Sequence, residues 1–356
     1  MFRIVITSLI ALWSATALAA GNTLKVYNWS DYIDPAVLEE FEEETGIKVI
    51  YDTYESGEVA ETRVMARGSG YDVVIVASEY ITRMIDAGAV RRLDQTRLTN
   101  RKHLWRDIMQ RLAAYDAGNR HAVPYLWGTT GIGYDESQVN ARMADAPVDS
   151  WAMIFDPQVV SRFAECGVSL PDAPEEVLSA ALSYLGRDPN SSESKDIADA
   201  QAAIKAIRPY VNRIDSAQID DLASGDICLA MGWSGDVLAA ADEAEDGIDV
   251  VYAIPKEGAP IWFDLMVIPV DAPSVDAAHR FVDFLMRPEV IARISNEVYY
   301  ANPNEAATPF VDPEVLEDPS IYPTEDVMKG LFALASRDAR TKRGIARRWT
   351  MLKLGN

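Results

Sequence analysis

The N-terminal part of the chain alternates between apolar residues at strand spacing and apolar residues at helical spacing. The run LKVYN, residues 24–28, has the composition of a buried strand. Asp34 and Pro35 then provide an N-cap and a first helical position, and the following apolar residues share one helical face as far as Gly46. The run IKVIYDTY, residues 47–54, is a second strand. This order predicts a βαβ unit with parallel strands and a right-handed crossover.

The same alternation continues along the chain and predicts an α/β fold. ETRVMARGSG, residues 61–70, indicates a helix, YDVVIVAS, residues 71–78, a buried strand, and EYITRMIDAG, residues 79–88, another helix. Ligands of such sheets bind beyond the carboxyl ends of the strands. Residues 28–32 and 78–80 both follow a predicted strand, so we expect them at the mouth of a crevice.

The remaining pattern divides the chain into two lobes, since 356 residues are too many for one simple core. The run AVPYLWGTTGIGYD, residues 122–135, is extended and favours a strand that crosses between lobes, and residues 259–270 favour a second crossing. Residues 130–260 have strands and helices of their own, including the buried strand DICLAMGWSGD, residues 226–236. Residues 279–298 are helical with a break at Pro288.

The first residues have the features of an export signal. The basic start MFR precedes a short apolar run, and Ala17-Leu18-Ala19 has the small-x-small form of a cleavage site. We predict a signal peptide over residues 1–19 and a mature chain that starts near Ala20. An exported chain with two cysteines, Cys166 and Cys228, favours one disulfide; two buried free thiols are the alternative.

Charge and composition exclude some kinds of function. Acidic residues outnumber basic ones by 55 to 33, and the net charge is −22. Nucleic-acid binding is not expected, because phosphate contacts require a basic surface. The negative field attracts small cations, although the acidity could also serve only solubility. With two cysteines and three histidines in the chain, no zinc site is expected.

Aromatic and acidic residues cluster where strands are predicted to end. The clusters are NWSDY at 28–32, GWSGD at 232–236 and IWFD at 261–264, and VYYANP at 298–303 adds two tyrosines. Aromatic faces attract cations and bury methylene groups, while carboxylates pair with ammonium groups. A single tryptophan near a strand end is more often a core residue. Several such clusters in one chain favour a site for an aliphatic diamine or polyamine.

The sequence resembles the periplasmic putrescine/spermidine-binding proteins of ABC importers, most closely the putrescine type. The resemblance runs from about Thr23 to the C-terminus and is carried by KVYNWSDYI, FEEETGIKVIYDTYES, VPYLWGTTGIGY, DAPEEV, LASGDICLAMGWSGDV and YYANPNEAATP, among other segments. It implies a type II periplasmic binding fold with two lobes, each a mixed β-sheet flanked by helices, joined by a hinge. We expect one lobe at residues 20–128 plus 262–308 and the other at 129–261 plus 309–356.

The resemblance also implies the ligand, the partner and the binding residues. The ligand is a polyamine, the partner is an inner-membrane ABC permease, the protein is a monomer, and no cofactor or metal is used. Cys166 and Cys228 match the disulfide of the putrescine-type members. The residues that match the family's ligand-binding positions are Trp29, Ser30, Asp31, Tyr32, Glu176, Trp233, Asp236, Trp262, Asp264 and Tyr300.

Some positions depart from the family pattern or give mixed indications of specificity. Glu79 stands where the family usually has Ser or Tyr facing the ligand, and it would be an extra carboxylate that favours a longer or more charged amine. The alternative is that Glu79 points to solvent or pairs with Arg83 at i+4. At position 262 the chain has Trp, as in the spermidine type. Three other residues match the putrescine type: Ser30, Asp31 and Leu334.

Other functions agree less well with the sequence than amine binding does. An exported enzyme that acts on amines is disfavoured, because GWSGD has Asp236 where a GxSxG elbow needs glycine and the chain contains no HExxH. Its histidines, His103, His121 and His279, are predicted away from the clusters. A binding protein for an anion would present arginines or helix N-termini at the crevice. Cadaverine or agmatine remain alternative amines, and a signalling role is not distinguished from transport.

Overall fold

The computed structural model of the chain describes residues 23–54, 56–215, 217–335 and 337–354. The predicted signal peptide over residues 1–19 lies outside the described residues. Within these ranges, no helix combines the length and apolar character that a membrane crossing requires.

The strands are β1 Thr23–Trp29, β2 Lys48–Tyr54, β3 Val73–Ala77, β4 Ala122–Asp135, β5 Val168–Leu170, β6 Arg213–Ile214, β7 Leu229–Trp233, β8 Val250–Ala253, β9 Pro260–Val267 and β10 Phe332–Ala333. The two longest of the described strands are β4 and β9.

The helices flank the strands and fill most connections between them. They are α1 Pro35–Thr45, α2 Gly57–Met65, α3 Ser78–Asp86, α4 Arg106–Leu112, α5 Glu136–Arg142, α6 Ala152–Phe155, α7 Pro157–Val160, α8 Pro174–Tyr184, α9 Ser194–Ile207, α10 Gln218–Ala223, α11 Ser234–Asp242, α12 Val275–Leu285, α13 Pro288–Val298, α14 Pro313–Leu316, α15 Glu325–Gly330 and α16 Ala339–Lys353. Short 3₁₀ helices cover Gln95–Arg97, Thr99–His103, Arg208–Tyr210 and Glu305–Phe310.

The strands follow the order β2-β1-β3-β9-β4-β7-β5-β6, with β10 beside β9 and β8 beside β4. In the first half-sheet, β1 is parallel to β2 and β3, while β9 is antiparallel to β3. In the second half-sheet, β5 is parallel to β6 and β7, while β4 is antiparallel to β7 and β8. Each half is therefore a mixed sheet, as predicted.

Strand β4 is the main connection between the two half-sheets. Its first residues, Ala122 to Thr129, pair with β9, and its later residues, Thr130 to Asp135, pair with β7 or β8. All fourteen residues of β4 are buried. The extended crossing predicted for residues 122–135 is confirmed. Because the pairing partner changes between Thr129 and Thr130, the two half-sheets meet at this point of the chain.

Local sequence determines the first helix and the break in the last helical pair. The Asp34 side chain accepts a hydrogen bond from the amide N–H of Ala36, and Gly46 adopts the left-handed conformation that ends α1. Helix α12 ends at Leu285, and Pro288 begins α13, because proline fits the first turn of a helix but not its interior. These features agree with the sequence prediction.

Three sequence expectations need correction. The helix predicted over residues 61–70 begins earlier, at Gly57, and ends at Met65, because the left-handed Arg67 and Gly68 cannot continue it. Strand β7 ends at Trp233, so Asp236 lies in the first turn of α11 and not in a strand. The third correction concerns β9.

The IWFD cluster lies near the beginning of β9 and not at a strand end. Strand β9 runs antiparallel to β3, and Asp264 is paired with Ala77, the last residue of β3. The N-terminal part of an antiparallel strand lies beside the carboxyl end of its neighbour. Trp262 and Asp264 therefore reach the same edge of the sheet as the residues that follow β1 and β3.

Candidate functional site

One cavity of about 190 Å³ lies where the two half-sheets meet. All eleven residues proposed from the sequence line it: Trp29, Ser30, Asp31, Tyr32, Glu79, Glu176, Trp233, Asp236, Trp262, Asp264 and Tyr300. The structure thus brings together residues that are more than 270 positions apart in the chain.

The loop that follows β1 is held in place by buried polar contacts. The Oδ1 atom of Asn28 accepts a hydrogen bond from the amide N–H of Trp29 at 2.8 Å. The Tyr125 hydroxyl, on β4, donates to the carbonyl oxygen of Tyr32 at 2.8 Å. Asp31, which lies between Trp29 and Tyr32 in the chain, has a φ of 49°. Aspartate tolerates this left-handed conformation better than most residues do. These contacts direct Trp29 and Tyr32 towards the cavity.

Asp264 is the most deeply buried carboxylate of the site, with 4% of its surface exposed. One of its oxygens accepts a hydrogen bond from Trp29 Nε1 at 3.1 Å, and the other accepts from the Tyr32 hydroxyl at 2.8 Å. Trp29 is the last residue of β1, and Tyr32 lies in the loop that follows it. They orient the carboxylate but leave it without a positively charged partner among the described residues.

Glu176 occupies the first turn of α8, on the side of the second half-sheet. Its Oε2 atom accepts a hydrogen bond from the Thr130 hydroxyl at 2.6 Å and another from Trp233 Nε1 at 3.1 Å. Thr130 is the residue at which β4 changes partners. Glu176 therefore lies beside the connection between the half-sheets and faces the cavity.

Asp236 and Tyr300 form a reciprocal pair at another wall of the cavity. The Tyr300 hydroxyl donates to Asp236 Oδ1 at 2.7 Å, and the Asp236 amide N–H donates to the same hydroxyl oxygen at 3.1 Å. Gly235 allows this approach, because a Cβ atom at that position would overlap the Tyr300 ring. The small residue before Asp236 is thus a steric requirement of the site.

Aromatic rings form the walls between the carboxylates. The ring centroids of Trp262 and Tyr300 are 5.1 Å apart at 67°, and those of Tyr32 and Tyr300 are 5.4 Å apart at 73°. Trp29 lies 4.5 Å from Tyr54, the last residue of β2. Such flat surfaces bury methylene groups and attract cations.

Burial disfavours full ionisation of the cavity carboxylates. Burial raises the pKa of Asp264 to about 7 and that of Asp236 to about 6. Burial, together with the neighbouring Glu176 carboxylate, raises the pKa of Glu79 to about 8, and burial also raises the pKa of Glu176. A cation in the cavity would reverse this tendency, because a nearby positive charge favours the carboxylate form.

The cavity lining is acidic on all sides. Among the described residues that form it, seven carry carboxylates and none is basic: Asp31, Glu58, Glu79, Asp172, Glu176, Asp236 and Asp264. It opens into a wider cleft of about 1200 Å³ that adds Asp215, Asp220, Glu243 and Glu297, again with no basic side chain among its described lining residues. A positively charged solute is therefore attracted both to the mouth and to the interior.

Sequence reasoning missed several lining residues: Tyr54, Ser56, Gly57, Glu58, Ala77, Tyr80, Asp172, Ala173 and Ile219. Tyr54 was recoverable, because it ends the strand beside β1 and is paired in register with Trp29. Tyr80 packs against Gly57, where an added Cβ would come within 2.6 Å of its ring. This contact between two helices of the first half-sheet has no sequence signal. Leu334 is buried but is not among the lining residues.

The histidines and the cysteines lie away from the cavity lining. His279 is buried in α12, where its Nε2 accepts from the amide N–H of Asp94 at 3.0 Å. His121 contacts Asp116 at 2.9 Å. Cys166 and Cys228 form a disulfide, with their Cα atoms 5.5 Å apart, which confirms the pairing implied by the sequence.

The sequence and the fold are similar to those of known bacterial binding proteins. Residues 36–324 match the family described as bacterial extracellular solute-binding protein. The sequence is 47% identical to the putrescine-binding periplasmic protein SpuD of Pseudomonas aeruginosa, over 95% of this chain and 94% of that protein. It is 45% identical to the putrescine-binding periplasmic protein PotF of Escherichia coli, over 98% and 96%. Among solved structures, a putative spermidine/putrescine ABC transporter from Listeria monocytogenes superimposes with a TM-score of 0.84 at 31% identity, covering 94% of this chain and 100% of that one.

Proposed function

This chain belongs to the family of bacterial extracellular solute-binding proteins, and we propose that it is the periplasmic component of an ABC importer that captures a protonated aliphatic amine of the putrescine and spermidine class. One observation carries the proposal. Carboxylates from both half-sheets, Asp264 from one and Glu176 from the other, face a single cavity that has aromatic walls and no basic lining residue.

The proposed mode of binding exchanges hydration for carboxylates and aromatic faces. One ammonium group binds near Asp264 and Glu176, and another binds near Asp236, while the methylene chain lies against Trp262 and Tyr300. Desolvation of each ammonium opposes binding, so each charge needs a carboxylate and a close ring. Hydrogen bonds from Trp29 and other neutral donors already fix the carboxylates, which lowers the cost of organising them.

Binding also drives closure of the lobes. We propose lobes of residues 20–128 plus 262–308 and 129–261 plus 309–356, joined where β4 and β9 pass between the half-sheets. A ligand that touches both lobes stabilises the closed form by its differential affinity for that form. The closed form then docks on the permease as a monomer. No cofactor takes part.

The protein acts by binding and release, without turnover of the amine. The buried His279 accepts a backbone hydrogen bond in the core and lies outside the cavity lining, and no nucleophile–base pair is found among the described lining residues. Cadaverine and agmatine are the alternative ligands, because both carry a cation at each end of an aliphatic chain. Mass spectrometry of the recovered amine tests for turnover, and a new product would contradict a pure binding role.

Isothermal titration calorimetry with putrescine, cadaverine, agmatine and spermidine tests the proposal. We expect binding in the micromolar range or tighter, about −8 kcal/mol or more favourable, for at least one of the four. Glucose, glutamate and phosphate serve as neutral and anionic controls and should give no heat of binding. Binding of a control solute in the absence of amine binding would contradict the proposal.

A further inference from the structure

Glu79 is a cavity residue that the general amine-binding hypothesis does not require. It lies in the first turn of α3, two residues after Ala77, and Ala77 is paired with Asp264 across the strands. Its side chain lines the cavity with Glu176 and Asp264. The structure therefore places a third carboxyl group at the end of the cavity where one ammonium of a diamine would already find two.

Glu79 does not form the helical ion pair that the sequence allowed. Arg83, four residues later, bonds to Glu61 on α2, with its Nη2 atom 2.7 Å from Glu61 Oε2. Within the described ranges, no basic side chain makes an ion pair with Glu79. A simple structural role through Arg83 is thus excluded.

Lys342 is the basic group whose charge reaches Glu79, but it is engaged elsewhere. Its ammonium group lies 3.1 Å from Glu175 Oε1 and 5.6 Å from the centre of the Tyr80 ring. Lys342 lowers the pKa of Glu79, yet burial and the neighbouring carboxylates outweigh it and raise that pKa to about 8. The lysine therefore leaves the Glu79 carboxyl group short of positive charge.

Hydrogen bonding also distinguishes Glu79 from its neighbours. Asp264 accepts from two side chains and so does Glu176. Glu79 accepts from its own backbone N–H, and within the described part of the chain no other side chain donates to it. Its oxygens are therefore the ones in this end of the cavity with the most capacity left for a ligand donor.

We propose, on the basis of the proposed function, that Glu79 receives an additional ammonium group and makes the cavity prefer a triamine of the spermidine type over the diamine putrescine. Putrescine supplies two ammonium groups to the four carboxyl groups of Glu79, Glu176, Asp236 and Asp264, whereas spermidine supplies a third. A third ammonium group beside Glu79 stabilises the carboxylate form of its side chain. Glu79 is then a residue that determines specificity and not merely one more acidic surface residue.

The test is calorimetric titration of putrescine and spermidine into the wild type and Glu79→Gln. The substitution keeps the shape of the side chain and removes its ability to become a carboxylate beside an ammonium group. We expect the spermidine Kd to rise about tenfold, the effect of one lost charge-assisted hydrogen bond, and the putrescine Kd to change less than about twofold. Glu79→Ser, which introduces a residue common in the family, should shift the ranking in the same direction.

Glu136→Gln is the matched control. Glu136 also stands in the first turn of a helix directly after a strand, but it is exposed and outside the cavity lining. It should leave both affinities unchanged. An equal change for both amines in Glu79→Gln, or wild-type binding of putrescine but not spermidine, would overturn the inference. Agmatine is titrated into the same two proteins, and a larger loss for agmatine than for spermidine would overturn the inference by assigning Glu79 to a guanidinium group. Wild-type protein that binds no amine would refute the proposed function itself.

Discussion

Replacing Asp264 by asparagine separates the charge of the site from its shape. Asparagine has nearly the same volume, its oxygen can accept from Trp29 Nε1, and its amide N–H can donate to the Tyr32 oxygen. The two contacts that now hold Asp264, at 3.1 and 2.8 Å, are therefore kept in altered form. The negative charge that faces the cavity is lost.

The expected loss of affinity follows from an ammonium group left without its buried partner. Removing one member of a buried ion pair costs about 3–5 kcal/mol. Burial raises the pKa of Asp264 to about 7, so at neutral pH its ionisation on binding costs little. We take the lower value because Glu176 remains nearby, and about 3 kcal/mol corresponds to a rise in Kd of about a hundredfold.

The stability of the ligand-free protein should change in the opposite direction. Burial raises the pKa of folded Asp264 to about 7, above the value of about 3.9 in an unfolded chain. Its contribution to stability is therefore fully present below about pH 4 and is lost as the pH rises through about 7. Asparagine does not ionise, so the Asp264→Asn variant does not lose this stability as the pH rises. At pH 8 the ligand-free variant should therefore melt at or above the temperature of the wild type.

Calorimetry and thermal melts at pH 8 measure the two effects. Asp246→Asn is the control, because Asp246 is exposed and outside the cavity lining. Unchanged amine affinity in Asp264→Asn would refute the assignment of this carboxylate to the ligand. A melting temperature that falls with the affinity would show that the loss comes from damage to the fold.

Three further predictions concern pH, close packing and the disulfide. Amine affinity should weaken as the pH falls from 8 to 6, because Asp264 must lose its proton on binding while the amine keeps its own. The loss should reach up to about tenfold per pH unit for each proton that binding displaces. Calorimetry across this range measures it, and an affinity that does not change with pH would contradict it. Gly235→Ala should weaken binding about tenfold or more by displacing the buried Tyr300 ring, and it should also lower the melting temperature because overpacking is destabilising. Calorimetry and thermal melts measure the two effects, and unchanged affinity would contradict the prediction. Replacing Cys166 and Cys228 by serine should lower the free energy of unfolding by about 4 kcal/mol and leave the amine Kd within about twofold, since neither residue lines the cavity; denaturant unfolding measures it, and equal stability would contradict it.

Much of the site was predictable because it depends on where strands end. Trp29 ends β1 and Glu79 follows the parallel strand β3, and residues at the carboxyl ends of such strands meet at one edge whatever their distance in sequence. Asp264 reached the same edge for another reason, since β9 enters antiparallel to β3. Strand direction is set by long-range pairing, and no local pattern in IWFD encodes it.

The residues that were missed depend on tertiary contacts. Tyr80 and Gly57 face each other between neighbouring helices, and their contact requires the relative position of α2 and α3. The sequence predicts one buried strand over residues 226–236 that includes Asp236, whereas helix α11 begins at Ser234. The Arg83 alternative for Glu79 failed because Glu61 on α2 lies close enough to take the guanidinium group. An i,i+4 rule considers only one helix at a time.

The most direct test of the central claim is a crystal structure of the protein with bound putrescine or spermidine. We expect one ammonium nitrogen within about 3 Å of a carboxylate oxygen of Asp264 or Glu176 and another near Asp236, with the methylene chain against the rings of Trp262 and Tyr300. An amine bound outside this cavity, or inside it without contact to carboxylates from both half-sheets, would contradict the account.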